Sequence, residues 1–471
     1  MQTRREQVRA HRFVTRRLVS ALLSGEPETT ELPMRRLGLA MIASVLVAAI
    51  LFAGFGAYGL LSPGGAKPDS GTVVIERETG ARYVFVNDVL YPVLNFASAR
   101  LILGAEAPTR TMAQNSLQGL ARGPQVGIAG APDGVPSPKA LVGLPWTVCS
   151  AAESSAVATP VTRLLIGQEP PTGRALGDDA VLVAAGSGAT DRYLIWQNRR
   201  YRIKDGETLA ALRLSGQPVL PIGRALLNAV TSGPDLVPLV LPNMGQVSTR
   251  QVRGAQAKVG RVYHVGAQHY VLTSAGLAAI GDVSALLLLA KGGTDDELTA
   301  EQAGSLLLDS RLDPPGFPAQ MPEMRAVDPV GSALCAGYGA ASKDGQDVAL
   351  AVADAGALRA MTGGRTAADQ VSRGVQVADQ VLVQGGHAAL VRAIPAADAT
   401  VTEGLPAYLV TDEGRRYAMP AGTAAQESLG YGSVSPVPVP AALVALIPPG
   451  PPLDPATARN FSAQSGAVSG S

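Results

Sequence analysis

The sequence predicts an α+β protein: a single transmembrane helix plus an exported domain of four ββα-type repeats flanking a discontinuous central β-sheet core. Three observations carry this expectation. An uncharged stretch of 25 residues runs from Leu37 to Leu61. The chain's 53 glycines and 35 prolines punctuate everything after residue 62 and cut it into short elements. One pattern then recurs four times: a short apolar strand, a polar turn, a second strand and a short helix.

Residues 1–36 read as a cytoplasmic basic amphipathic arm. They hold eight Arg against four Glu, net +4, in a chain whose 471 residues sum to +1. Arg5, Arg9, Arg12 and Arg16 recur at helical spacing, and Ala10, Val14, Leu18, Ala21 and Leu22 form a second stripe. Such a helix lies on anionic lipid or docks on a partner; the plain alternative is a solvated arm that only sets topology.

The run 37–61 reads as the transmembrane helix, with Leu37 and Leu61 as its ends. At ~1.5 Å per residue it reaches about 37 Å, enough for a ~30 Å hydrocarbon core with some tilt. A buried core helix rarely stays apolar all round for so long. A cleaved signal peptide has a shorter apolar region behind a short basic start. Arg35 and Arg36 abut one end and Ser62-Pro63-Gly64-Gly65 follow the other. The positive-inside rule then places a single-pass protein in the inner membrane, N-terminus cytoplasmic and C-terminal domain periplasmic. The lipid bilayer is thus one partner. With 16% charged residues and no basic face, nucleic acid is excluded.

In the first repeat, Tyr83–Val86 turns at Asn87-Asp88 into Val89–Val93, followed by helix-like FASARLIL. The second is YLIWQ-NR-RYRI then ETLAALRL, and the third RVYHV-GAQ-HYVL then SAGLAAI. The fourth is AYLVT-DEG-RRYAM then TAAQESL. Downstream of the second and fourth, two stretches of equal length keep Leu226/Leu443, Gly233/Gly450, Leu236/Leu453 and Pro238/Pro455 in register, which argues for duplication. A unit this small cannot bury its own apolar face and must pack on a neighbour. The expected divisions are 62–123 (linker and repeat 1), 124–190 (first core segment), 191–325 (repeats 2 and 3) and 326–400 (second core segment). Repeat 4 follows at 401–455 and a flexible tail at 456–471.

Cys149 and Cys335 fall outside the membrane, one in each half of the proposed core. Disulfides persist there, so a bridge is expected, with two free buried thiols as the alternative. A bridge would close a loop of nearly 190 residues, for which the chain-entropy relation gives an upper figure of about 5 kcal/mol.

Catalytic motifs are missing from the sequence. No lysine follows a glycine, so Walker A is absent, and neither GxSxG nor HExxH occurs. His264 and His269 flank a hairpin turn and could meet across strands, but no third metal ligand adjoins them in sequence. Asp295-Asp296-Glu297 precede a helix-like run and read as helix-capping acids. Asp178-Asp179 reads as a solvated loop. No catalytic, cofactor or metal residue is assigned.

The chain resembles the EccB family, a membrane component of the type VII (ESX) secretion machinery. The matching residues are spread along it: Gln7-Val8, Phe13 and Arg16-Arg17 before the span, then YVFVNDVLYPVLNFASARLILG, Tyr83 to Gly104. RGPQVGIAGAP, Trp146-Thr147-Val148-Cys149, LCAGY at 334–338 and LIPPGPPLDPATA at 446–458 complete them. The arm starts closer to its motif than in many relatives. The resemblance implies a structural subunit working with EccC, EccD and EccE, the mycosin protease and other EccB copies. EccC carries the family's motor domains; some EccB members are labelled ATPases. Where the resemblance meets the amphipathic pattern, Val14, Arg16, Arg17 and Leu18 are expected to dock on partners. The rival expectation is a membrane-anchored wall-binding or hydrolytic protein acting alone.

Overall fold

The computed structural model describes residues 4–24, 33–61, 67–153, 160–185, 191–339, 348–361, 364–366, 371–372, 375–395 and 405–460. Ser62-Pro63-Gly64-Gly65 lies outside these, as do residues 461–471 of the expected tail; where that tail begins, Pro455–Arg459 forms a helix capped by Asp454 rather than flexible chain. Two helices come first, α1 (Arg4–Ser24) and α2 (Pro33–Leu61).

The large domain after α2 is organised by a seven-stranded sheet whose members come from two distant regions of the chain. Trp146–Ala152 pairs antiparallel with Pro160–Ile166 on one side and with Ser332–Tyr338 on the other. Ser332–Tyr338 in turn pairs with Val348–Asp354, and Gln380–Leu382 adds in parallel beyond Pro160–Ile166. Every residue of Trp146–Ala152 is buried, because both faces of the sheet are covered. Alternating side chains divide between them: Val148, Leu164 and Leu334 face one cluster, while Cys149, Leu165 and Cys335 face another closed by the helix Ala355–Ala360.

Four smaller sheets share one connectivity that is larger than a ββα unit. In the first, Thr72–Glu76, Arg82–Val86 and Val89–Pro92 form an antiparallel meander. The helix Phe96–Leu103 follows, and the chain then returns as Thr109–Met112 parallel to the first strand and Ala121–Arg122 parallel to the third. The second unit repeats this with Val181–Ala185, Arg192–Trp196 and Arg199–Ile203, flanked in parallel by Val219–Ile222 and Thr231–Ser232. The fourth uses Ala388–Ile394, Ala407–Thr411 and Arg416–Met419, with Val437–Pro440 parallel to its first strand. Val181–Ala185 and Ala388–Ile394 therefore belong to units rather than to the central sheet.

Local chemistry explains the joints. Asn87-Asp88 and Gln197-Asn198 occupy left-handed backbone, φ 48° and 63°, 45° and 58°, as two-residue hairpin turns require. The second turn thus sits one residue earlier than Asn198-Arg199. Asn95 and Asp205 begin the helices that follow by accepting from Ser98 and Thr208 backbone N–H groups.

The third unit corrects the sequence reading. SAGLAAI is not a helix: Leu277–Ile280 is the third strand, antiparallel to Gln268–Leu272, and the helix is Asp282–Leu289. Both Leu277 and Ala278 are fully buried, and pairing overrides the helical propensity of Leu and Ala. Asp295–Glu297 is likewise a strand, parallel to Val262–Val265. The helix Ala300–Gly304 is capped instead by Thr299, in a capping box with Gln302.

No unit buries its own surface alone. Helices of the first and fourth units share a cluster containing Leu101, Leu429 and Tyr431. The second and fourth pack on the central sheet through Ile222, Leu226, Val391 and Leu443. Leu287 of the third unit enters the cluster of the second. Each of the first, second and fourth units also sets a tyrosine against a glycine. A Cβ on Gly123, Gly233 or Gly450 would stand 2.3, 2.6 or 2.2 Å from a ring carbon of Tyr91, Tyr201 or Tyr417. In the third unit Ala278 occupies the tyrosine's place in the pairing. Burial pushes the Tyr417 phenol up to about 12, so it stays protonated and donates to Glu413 Oε2.

Gly450→Ala is expected to destabilise the chain by about 2 kcal/mol, since Tyr417 is fully buried and has nowhere to move. Gly216→Ala, where a Cβ meets nothing within 4 Å, is the control. Thermal denaturation of the detergent-solubilised protein reads both; equal midpoints would contradict the packing account.

Candidate assembly surfaces

The arm is a continuous exposed helix. At 100° per residue Arg5, Arg9, Arg12 and Arg16 fall within an arc of about 60°, and Val14, Leu18 and Leu22 occupy the opposite side. Val14 and Leu18 are 54% and 57% exposed. Arg17 stands off the arginine stripe with its guanidinium 5.6 Å from the Phe13 ring centre, a cation–π distance. The four residues nominated for docking therefore lie on different faces: apolar Val14 and Leu18, basic Arg16, and Arg17 stacked between them.

Within α2, Leu37–Tyr58 is long and apolar enough to cross a membrane, with a mean hydropathy of 2.5 and none of it buried by protein. Phe52, 80% exposed, would be costly in water and favourable in hydrocarbon. The side chains of Arg35, Arg36 and Leu61 lie outside the described residues.

Cys149 and Cys335 stand directly opposite one another on adjacent strands and are joined by a disulfide, both sulfurs buried. The loop so closed contains the whole of the second and third units.

His264 and His269 are cross-strand partners with ring centres 6.0 Å apart. Each is held by a carboxylate: His264 Nδ1 lies 2.8 Å from Asp295 Oδ1, and His269 Nδ1 lies 3.0 Å from Asp282 Oδ1. Asp296 pairs with Arg261 at 2.7 Å. The acidic run thus serves cross-strand ion pairs. Among the described residues no group of three or more His, Cys, Asp or Glu is placed to hold a metal ion. Asp179 is not merely solvated, since it pairs with Arg325 at 2.7 Å. The backbone carbonyl of Asp178 accepts the Trp196 indole N–H at 2.8 Å.

The place of apolar exposure on the large domain after α2 was not foreseen from the sequence. Among its described residues the large exposed apolar side chains are Val237, Val240, Met244, Val247 and Leu307, and four of the five fall within eleven residues of the connection between the second and third units. Val240 is 91% exposed. The signal was the run PLVLP, whose prolines deny it a place inside a sheet.

The family model described as type VII secretion system ESX-1, transport TM domain B, matches residues 1–463. The chain is 31% identical to the ESX-5 secretion system ATPase EccB5 of Mycobacterium tuberculosis, over 96% of this chain and 92% of that protein. Its fold is similar to a chain in the structure of an intact ESX-5 inner membrane complex, at 26% identity, with a TM-score of 0.63 over 98% of this chain and 95% of the other. It is also similar to the EccB3 dimer from the ESX-3 core complex, with a TM-score of 0.61 over 83% of this chain and all of that one.

Replacing Cys149 by Ala is expected to lower stability by about 2–5 kcal/mol, the range for removal of a native bridge. Non-reducing peptide mass spectrometry of the native protein is expected to find the Cys149 and Cys335 peptides linked. Recovery of both as alkylated thiols would refute the bridge.

Proposed function

We infer that this chain, which belongs to the EccB family of type VII (ESX) secretion proteins, is a structural subunit of an inner-membrane secretion complex, its exported domain building the periplasmic portion of the assembly for protein export. One observation carries the reading: the similarity runs unbroken through arm, membrane helix and exported domain, and extends over 98% of the chain to a subunit of an intact complex. The matched solved chains belong to complexes, which favours an assembly role over a wall-binding or hydrolytic protein acting alone. The word ATPase in the tuberculosis relative's name is said of that protein; no Walker A loop exists here to cradle a nucleotide's phosphates.

The finer reading follows from the chemistry of each segment. The arginine excess before Leu37 sets the N-terminus in the cytoplasm and the large domain outside. Other EccB copies, EccC, EccD, EccE and the mycosin protease are the partners, and the exposed apolar connection at 237–247 supports burial in an assembly. The arm docks through Val14 and Leu18, with the guanidinium forks of Arg16 and Arg17 reaching partner carboxylates. Lipid attraction alone would accept any basic helix.

Protease added to spheroplasts is expected to digest the chain beyond about Ser70 and to spare the arm. Protection of the exported domain would reverse the topology.

Arg16→Lys with Arg17→Lys keeps charge and orientation but removes the forks. Native electrophoresis of detergent extracts is expected to show loss of the large complex. An intact complex with normal secretion would reduce the arm to a lipid or topology device.

A further inference from the structure

The four units provide an internal comparison. In the second and fourth, an arginine precedes the buried tyrosine of the third strand and does the same work. Arg200 Nη1 donates to Leu227 O at 2.5 Å, and Arg416 Nη1 donates to Val444 O at 2.6 Å. Gly233 N–H donates to Arg200 O and Gly450 N–H to Arg416 O, at 2.8 and 2.7 Å. The two frameworks therefore correspond at these contacts, and what differs around them is not required to make them.

What differs is a cavity. Around the fourth unit's arginine the positions are small and apolar: Ala418, Ala441, Ala445, Pro449 and Pro452. The second unit has Arg202, Arg224, Asn228, Ser232 and Asp235 in those places, and with Arg200 and Tyr193 they line a cavity of about 300 Å³. Two carboxylates share it. Asp191 is already engaged by Arg202 at 3.2 Å, and Asp235 acts on the same guanidinium. Among the described residues Arg224 has no hydrogen-bond or ion-pair partner. Three guanidiniums against two carboxylates leave a formal charge of +1, with an amide and a hydroxyl beside them.

We propose that this cavity is a binding site for a phosphate group, held by Arg200, Arg202 and Arg224 with Asn228 as a neutral donor. A carboxylate offers two oxygens, which one guanidinium fork satisfies. A phosphate group presents its oxygens tetrahedrally, two unesterified ones in a diester and four in free phosphate, so that guanidiniums on more than one side can reach it. The group can belong to free phosphate or to a phospholipid headgroup.

The test is isothermal titration calorimetry on the full-length chain in uncharged detergent. The probes are inorganic phosphate and glycerophosphoglycerol, the deacylated headgroup of phosphatidylglycerol. Saturable binding of at least one is expected. Preference for inorganic phosphate identifies a free-phosphate site, and preference for glycerophosphoglycerol a headgroup site. Arg224→Gln and Arg202→Gln are each expected to weaken binding about tenfold, the loss of one charge-assisted contact. Arg199→Gln, on the opposite face of the same strand, is expected to leave it unchanged. Arg202 and Arg224 are exposed enough that unfolding midpoints should stay level with wild type. Absence of saturable binding by both probes, or unaltered affinity in the Arg202→Gln, Arg224→Gln double variant, would overturn the site.

Discussion

Trp146–Ala152 and Ser332–Tyr338 lie side by side although the cysteines at their centres are 186 residues apart in the chain. Their pairing closes a very long loop, and loop entropy opposes it until enough apolar surface is buried on both faces. The four units supply that cover. The second and fourth press on one face through Ile222, Leu226, Val391 and Leu443, while the helix Ala355–Ala360 closes the other over the disulfide. The first and third units then attach to the fourth and second. The central pair and its cover are therefore mutually dependent, and neither is stable as an isolated piece.

Shared connectivity with unequal detail shows what each unit needs. The tyrosine–glycine contact recurs at Tyr91/Gly123, Tyr201/Gly233 and Tyr417/Gly450, because a parallel strand must pass directly under a ring. The third unit places Ala278 there, so its returning strand faces no ring; that strand, Leu307–Arg311, carries aspartate at 309 and a register shift instead. Framework positions are thus coupled in pairs, whereas the shell around Arg200 varies freely between units. Such a shell is where chemistry unrelated to folding can be placed.

Much of this was legible from residues alone. The membrane helix follows from an uncharged run, and the hairpin at Asn87-Asp88 from turn chemistry between apolar strands, while the second hairpin was legible to within one residue of its turn, Gln197-Asn198. Helix starts follow from Asn95 and Asp205. What was not legible is non-local. Thr109–Met112, Val219–Ile222 and Val437–Pro440 are four-residue strands that exist because a distant strand offers them hydrogen bonds. Val181–Ala185 is buried throughout and carries no alternation to say which sheet it joins. The third unit misleads because SAGLAAI has the composition of a helix and the partner of a strand. Arg200, Arg202 and Arg224 are ordinary arginines in sequence, and only the return of the chain after Val219–Ile222 brings the third beside the first two.

The sulfur bridge also governs how the domain carries load. Between the anchor and the last unit the covalent path has a short cut: from Cys149 across the bridge to Cys335, without passing through the residues between. A pull applied between the membrane helix and the C-terminal unit is carried covalently along the first unit, the bridge and the fourth unit. The second and third units lie within the closed loop, off that covalent line. The first and fourth units, packed on each other through Leu101 and Leu429, lie on that line.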